Sequence, residues 1–198
     1  MTIQHLPSKV RARIRESQFS PRDVGLRLDA PGVQSIKSRL APADATDVWL
    51  TGMRDGRILR AEGHYYTCGV GLWLVGRTAN DVADLSALAA AMTQELIIES
   101  VVESAYYATP EEYLTAERPD GDREVIAKCR RDVLVLSGYG TERRGEQGWA
   151  EATLAMLLSY RWDRGNPTIV TSNRSVPESF ASRMFLTSAI MGGTHGED

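Results

Sequence analysis

The sequence is poor in the residues that build disulfide frameworks, metal sites and catalytic triads. It contains 2 cysteines, Cys68 and Cys129, with no metal-ligand spacing around either, so we interpret both as packing residues. The 3 histidines, His5, His64 and His195, are scattered along the chain, and their spacing suggests no grouping with serine and an acid. The sequence therefore predicts neither a metal site nor a triad hydrolase.

The sequence also lacks a strong charge of one sign and a long apolar run. Its 23 basic and 26 acidic residues give a net charge of -3, without the basic excess that dominates non-specific DNA affinity. We interpret the local basic runs at 9–15 and 128–131 as solvated faces, and residues 109–117 carry three acids and no base. We expect weak or indirect binding to single-stranded DNA. With no signal-like or membrane-spanning run near its start, we expect a cytoplasmic protein without a membrane contact.

Length and composition favour one ordinary globular domain. The 198 residues are 42% hydrophobic and 25% charged, with no repeats and no flexible linker. Four prolines break the first 43 residues into short helical pieces, at positions 7, 21, 31 and 42. We therefore predict an irregular or helical lead-in over residues 1–43, followed by a core over residues 44–198.

Within this core, patterns typical of strands alternate with patterns typical of helices. Short apolar runs predict strands at 71–75, 101–108, 132–136 and 168–171. Apolar residues at every third or fourth position predict helices at 44–60, ended by Gly63, and at 85–96 and 149–160. Strands separated by helices imply an α/β fold of three layers, with a mostly parallel sheet and helices on both faces.

Four segments resemble the AAA+ ATPase core of bacterial or phage helicase loaders of the DnaC and IstB type. The similar segments occur in the same order and direction, at 69–76, 132–142, 149–173 and 180–184, with 196–198 resembling the start of a terminal motif. The resemblance implies a P-loop NTPase-like fold with a minimal or truncated C-terminal lid. It also implies a role in DNA replication.

The segment that resembles the phosphate loop has lost the residues that bind phosphate. The GxxxxGK[ST] pattern needs glycines that expose backbone amides, a lysine for the β- and γ-phosphates, and a hydroxyl for Mg²⁺. Here Gly76 remains, but Asp81, Val82 and Ala83 stand at the last three positions. Asp81 would repel a triphosphate, so we expect ATP to be excluded in the usual pose. Asp81 and Asp84 are interpreted instead as carboxylates that favour a helix N-terminus.

The segment that resembles the Walker B strand has lost both of its acids. These acids position the metal and the attacking water, and here they are replaced by Ser137 and Gly138. Asn173 resembles the sensor residue at the end of the next strand, and without a γ-phosphate we interpret it as a strand-end cap. We therefore predict a pseudo-ATPase with no ATP or Mg²⁺ cofactor and no catalytic residue of its own.

One residue that would act on a neighbouring subunit is kept. The resemblance implies that Arg183 is an arginine finger pointing at the nucleotide of an adjacent subunit, although an ordinary surface arginine fits equally well. The leading hypothesis is a non-catalytic subunit in a homo- or hetero-oligomer, assembled with an active loader paralogue or the replicative helicase. The alternatives are a decoy that occupies a loader or helicase interface, and an ATPase with a rebuilt pocket.

Overall fold

A six-stranded, mostly parallel sheet forms the centre of the molecule. The computed structural model describes residues 3–59, 65–67, 69–140, 147–177 and 185–191. The spatial order of the sheet is β1-β8-β4-β7-β6-β5, in which only β1 is antiparallel to its neighbour. Its strands are β1 (Leu40–Ala41), β4 (Gly71–Val75), β5 (Ala105–Ala108), β6 (Val133–Tyr139), β7 (Thr168–Ser172) and β8 (Phe185–Ile190). A separate hairpin pairs β2 (Arg57–Leu59) with β3 (Tyr65–Thr67).

Helices cover both faces of this sheet. The described helices of at least one full turn are α1 (Ser8–Glu16), α2 (Pro31–Ser38), α3 (Ala45–Asp55), α4 (Ala79–Ile98), α5 (Pro110–Ala116), α6 (Arg123–Lys128) and α7 (Gln147–Asp163). The first four pack into one hydrophobic cluster and the last three into another. Strand residues alternate between the two clusters: Leu72 and Leu74 face α4, whereas Trp73 faces the α7 side. The predicted three-layer α/β fold is confirmed.

The lead-in covers one edge of the sheet. The amide of Tyr107 in the edge strand β5 donates to the carbonyl of Ser17 at 2.8 Å, and the rings of Phe19 and Tyr107 pack edge to face. Farther along, the Gly25 amide donates to Gln94 on α4 at 2.7 Å. These contacts protect the unpaired side of β5, which would otherwise be open to pairing with another chain.

The predicted helix at 44–60 is too long. In the structure α3 ends at Asp55, where Gly56 takes a left-handed conformation with φ of 69°, and the chain then enters the β2–β3 hairpin. Glycine adopts this conformation without steric cost, so it terminates the helix before Gly63, which lies outside the described residues. Among the described residues, no helix is both long and apolar enough to span a bilayer.

The predicted strand at 101–108 starts too early, and β1, β2, β3 and β8 were not predicted. The amides of Val101 and Val102 both point to the Leu96 carbonyl at the end of α4, so residues before Ala105 complete a helix terminus. Strand β8 escaped prediction because it carries polar residues, of which Ser188 is buried and donates to the Pro42 carbonyl at 2.9 Å. The strands predicted at 71–75, 132–136 and 168–171 are confirmed to within three residues.

A buried arginine ties together the loops that enter the sheet. Arg161 on α7 is fully buried and donates to the Thr168 hydroxyl at 2.8 Å. Its remaining N–H groups donate to four backbone carbonyls, those of Cys129, Arg131, Asp132 and Pro167, at 2.7 to 3.2 Å. Burial lowers the pKa of Arg161 to about 10, so it stays charged at neutral pH. The five N–H donors of the planar guanidinium match these five oxygens. One side chain therefore satisfies the hydrogen-bond acceptors at the starts of both β6 and β7.

We expect Arg161→Met to lower the free energy of unfolding by at least about 3 kcal/mol, because four carbonyls would lose a charged donor inside the core. Arg161→Lys should recover only part of the loss, since an ammonium has three donors in a compact head. Urea unfolding checks both values. The control Arg15→Met, at an exposed arginine of α1, should change stability by less than about 0.5 kcal/mol. An equally small loss of unfolding free energy for Arg161→Met would contradict the structural role of Arg161.

Candidate functional site

The residues that resemble nucleotide-binding motifs meet at the carboxyl ends of the parallel strands. Gly76 directly follows β4, and its amide donates to the Ser172 carbonyl of β7 at 2.8 Å. Ser137 and Gly138 lie in the last part of β6, and Asn173 directly follows β7. In open α/β sheets this edge is where ligands bind. The structure thus brings together the Walker A-like, Walker B-like and sensor-like positions.

Helix α4 begins before the position where the phosphate loop would place its lysine. The first helical residue is Ala79, three positions ahead of Val82, and Thr78 is the N-cap. The Thr78 hydroxyl accepts from the Asp81 amide at 3.1 Å. In return the Asp81 carboxylate accepts from the Thr78 amide at 3.0 Å and the Thr78 hydroxyl at 2.9 Å. This is a reciprocal capping box, and it confirms the interpretation of Asp81 as a helix N-terminal carboxylate.

The capping box uses amides that a phosphate loop would present to a ligand. The Asp81 carboxylate also accepts from the Arg77 amide at 3.1 Å, and the Val82 amide donates to the Thr78 carbonyl at 3.1 Å. Gly76 packs so closely on this turn that a Cβ there would lie 2.7 Å from the Asp81 Cβ. The side chain of Val82 is buried, with 8% of its surface exposed. A carboxylate and a helical turn therefore occupy the place of an open anion-binding loop.

An arginine from the lead-in completes the charge balance at this helix end. Arg39, directly after α2, donates to the Asp84 carboxylate at 2.6 Å and lies 3.7 Å from that of Asp81. Burial alone would raise the pKa of Asp81. The hydrogen bonds from Thr78 and Arg77, together with the charge of Arg39, outweigh burial and hold that pKa below its usual range. Asp81 is therefore anionic at neutral pH.

Three hydroxyls form a hydrogen-bonded cluster beneath this turn. The Ser86 hydroxyl of α4 donates to the Val82 carbonyl at 2.8 Å. It lies 2.6 Å from the Ser137 hydroxyl and 2.9 Å from the Thr171 hydroxyl. With its single proton directed at the carbonyl, Ser86 accepts from both neighbours. The cluster joins α4, β6 and β7 through neutral groups, and supplies no carboxylate for Mg²⁺.

The backbone at the second Walker B position differs from a regular strand. Gly138 has φ of 84°, and the pairing of β6 with β7 shifts register between Ser137 and Tyr139. Its amide donates to the Thr171 hydroxyl at 3.2 Å. Because side chains rarely adopt this φ, a carboxylate could be introduced at position 138 only with strain. Asn173 lies close by, with its Oδ1 2.8 Å from the place of a Cβ on Gly140.

Four residues of this site were not predicted from the sequence, and one predicted residue lies outside the described part of the chain. Thr78, Ser86, Thr171 and Arg39 were not singled out, although Thr78 followed three residues later by an acid is a signal of a capping box. Ala83 lies in the first turns of α4, as expected for its position. Arg183 lies outside the described residues. Within the described part of the chain, no group of three or more His, Cys, Asp or Glu side chains could hold a metal ion.

Comparisons with known proteins find likeness in structure but not in sequence. No family model matches the sequence, and no curated protein matches it significantly. The fold is similar to the crystal structure of the DnaC helicase loader, with a TM-score of 0.55 and 16% identity over 87% of this chain and 100% of that one. It is also similar to a candidate primosome component from Streptococcus pyogenes serotype M3, with a TM-score of 0.50 and 20% identity over 95% and 91% of the two chains. The fold is therefore shared with the DnaC helicase loader.

We expect Asp81→Ala to lower the free energy of unfolding by about 1 kcal/mol at neutral pH, because α4 loses its capping box. The folded-state pKa of Asp81 is depressed. Its contribution is therefore full above the unfolded pKa of roughly 4 and is lost as the pH falls through the lower folded value. Urea unfolding at neutral and acid pH should show that the difference in free energy of unfolding between wild type and variant is smaller in acid. Asp120→Asn, at an exposed turn carboxylate, controls for the charge change.

Proposed function

We propose that this chain is a non-catalytic, helicase-loader-like AAA+ subunit that works in DNA replication by binding other proteins. It assembles with an active loader paralogue or with the replicative helicase, and it neither binds nor hydrolyses ATP. The observation that carries this proposal is the Asp81 carboxylate at the N-terminus of α4. The sequence resemblance assigns this position to the loop that holds the β- and γ-phosphates in a loader.

The chemistry of the surrounding site supports the absence of catalysis. A nucleotide in the usual pose would meet a fixed anion instead of a lysine, because Val82 is buried and uncharged. The Ser86, Ser137 and Thr171 cluster offers hydroxyls that are already hydrogen-bonded to each other. Without a carboxylate at this strand, neither the metal nor the attacking water has a ligand of the usual kind.

The role in replication is supported by the fold alone. The two similar structures are a helicase loader and a candidate primosome component, and both cover nearly the whole of this chain. The protein keeps the three-layer core of those proteins while its site is closed by its own side chains. A core of this fold that does not hydrolyse ATP can still bind other subunits, because AAA+ proteins act through contacts between neighbouring subunits.

We expect no saturable heat on titration of ATP and Mg²⁺ into the protein at micromolar concentrations, and no phosphate release above background. Isothermal calorimetry and a phosphate assay measure these quantities, with an active loader that has an intact GxxxxGK[ST] loop as the positive control. The variant Asp81→Gly/Val82→Lys restores two loop residues and tests whether the carboxylate excludes nucleotide. Binding of ATP by the wild type with micromolar affinity would contradict the proposal.

A second expectation separates a subunit that helps its neighbour from a decoy. If Arg183 acts as an arginine finger, wild-type protein should stimulate hydrolysis by an active loader partner, and Arg183→Ala should reduce that stimulation severalfold or more. Complete arginine fingers contribute roughly 10³–10⁵ in rate. Binding to the partner should be nearly unchanged. Phosphate release in the mixture is the measurement, and Arg123→Ala on α6 is a matched control. Equal rates with wild type and Arg183→Ala would favour a scaffold or decoy.

A further inference from the structure

Helix α7 is apolar on both its inner and its outer face. Its inner face buries Leu154, Leu157 and Leu158 against the sheet. Its outer face carries Trp149, Ala152, Met156 and Tyr160, which follow one another at intervals of three or four residues and so lie in one line. We name these four residues the α7 outer stripe. An apolar stripe on the outer face of a helix, opposite its buried face, is a candidate contact surface.

Three residues of the outer stripe are open to solvent, and the fourth, Tyr160, is half-buried. The side chain of Met156 is 74% exposed and that of Trp149 is 43% exposed, and Ala152 between them is exposed as well. Along the helix axis the stripe spans about 16 Å, or roughly three turns. Tryptophan and methionine are enriched in the buried centres of protein interfaces and are uncommon on free surfaces. This length and composition fit one partner helix.

The end of the stripe has a positive rim. The guanidinium groups of Arg130 and Arg164 lie over the Tyr160 ring, at 5.0 and 4.3 Å from its centroid. In the part of the chain that the structure describes, neither guanidinium has a carboxylate partner. Arginines held in place on an aromatic ring, without an acid of their own, are suited to bidentate contact with carboxylates from another molecule.

We propose that the α7 outer stripe binds an amphipathic helix of a protein partner, one that packs an apolar stripe on Trp149 and Met156 and places acidic side chains against Arg130 and Arg164. A nucleic acid fits less well, because the greater part of the stripe is apolar. The stripe belongs to the α5–α7 layer, whereas the turn at Asp81 starts α4 in the opposite layer. The inference is therefore independent of whether the nucleotide site is active.

Site-specific photo-crosslinking in the native host tests the proposal with the full chain. A benzophenone amino acid replaces Met156, or, as the control, the exposed Met191 at the end of β8. We expect position 156 to crosslink to one protein, and mass spectrometry of the joined peptide to show an acidic amphipathic helix. A crosslink to a second copy of this chain or to nucleic acid overturns the proposal, as does a yield no higher than that at position 191.

Binding of the crosslinked segment, made as a synthetic peptide, then separates the apolar and the charged contributions. We expect Trp149→Ala/Met156→Ala to weaken binding by about tenfold or more. Arg130→Glu/Arg164→Glu should weaken it by a similar factor and reduce its dependence on salt. Met191→Ala and Arg123→Glu, matched to each change at exposed positions elsewhere, should leave the affinity unchanged. Circular dichroism confirms that each variant is folded, and equal affinities for folded stripe variants and wild type would overturn the proposal.

Discussion

The contact of the Asp81 carboxylate with the first turn of α4 determines what the rest of the site can be. By accepting from Arg77 and Thr78, this carboxylate lets the helix begin at Ala79, so the chain after β4 has almost no loop. A short loop in turn brings Gly76 against the helix and turns Val82 into the protein. The Asp81 carboxylate thus supplies an anion of the protein's own at the N-terminus of α4, where the helix dipole favours negative charge.

The neutral hydroxyl cluster is consistent with an uncharged residue at position 82. A loader needs positive charge at the loop and negative charge at the strand below it, because each offsets the other around a bound metal and phosphate. When the lysine is replaced by valine, a carboxylate at the end of β6 would be a partly buried charge without a partner. Ser137 avoids that cost, and with Ser86 and Thr171 it joins three elements through hydrogen bonds. The two groups of changes therefore form one electrostatically consistent site.

The parts of the molecule that could be predicted from sequence are those set by local pattern. The strand at 71–75 and helix α4 were visible because each has one unbroken apolar pattern, and Asp81 could be assigned to a helix N-terminus from its position alone. Strand β8 was not visible, since its buried Ser188 depends on the Pro42 carbonyl, distant in sequence. Arg39 lies far from Asp84 in the chain. Nothing in the sequence distinguishes Arg161 from other helical arginines, because the carbonyls that it binds come from other parts of the chain. Contacts of this kind depend on tertiary structure, which no local pattern records.

The two sides of the sheet are held together by different groups. On the α7 side, the buried guanidinium of Arg161 organises the entrances to β6 and β7 without any ligand. On the α4 side, the capping box and the hydroxyl cluster satisfy the groups that a nucleotide would otherwise bind. Both faces of the sheet therefore hold these loop and strand ends through hydrogen bonds within the described chain.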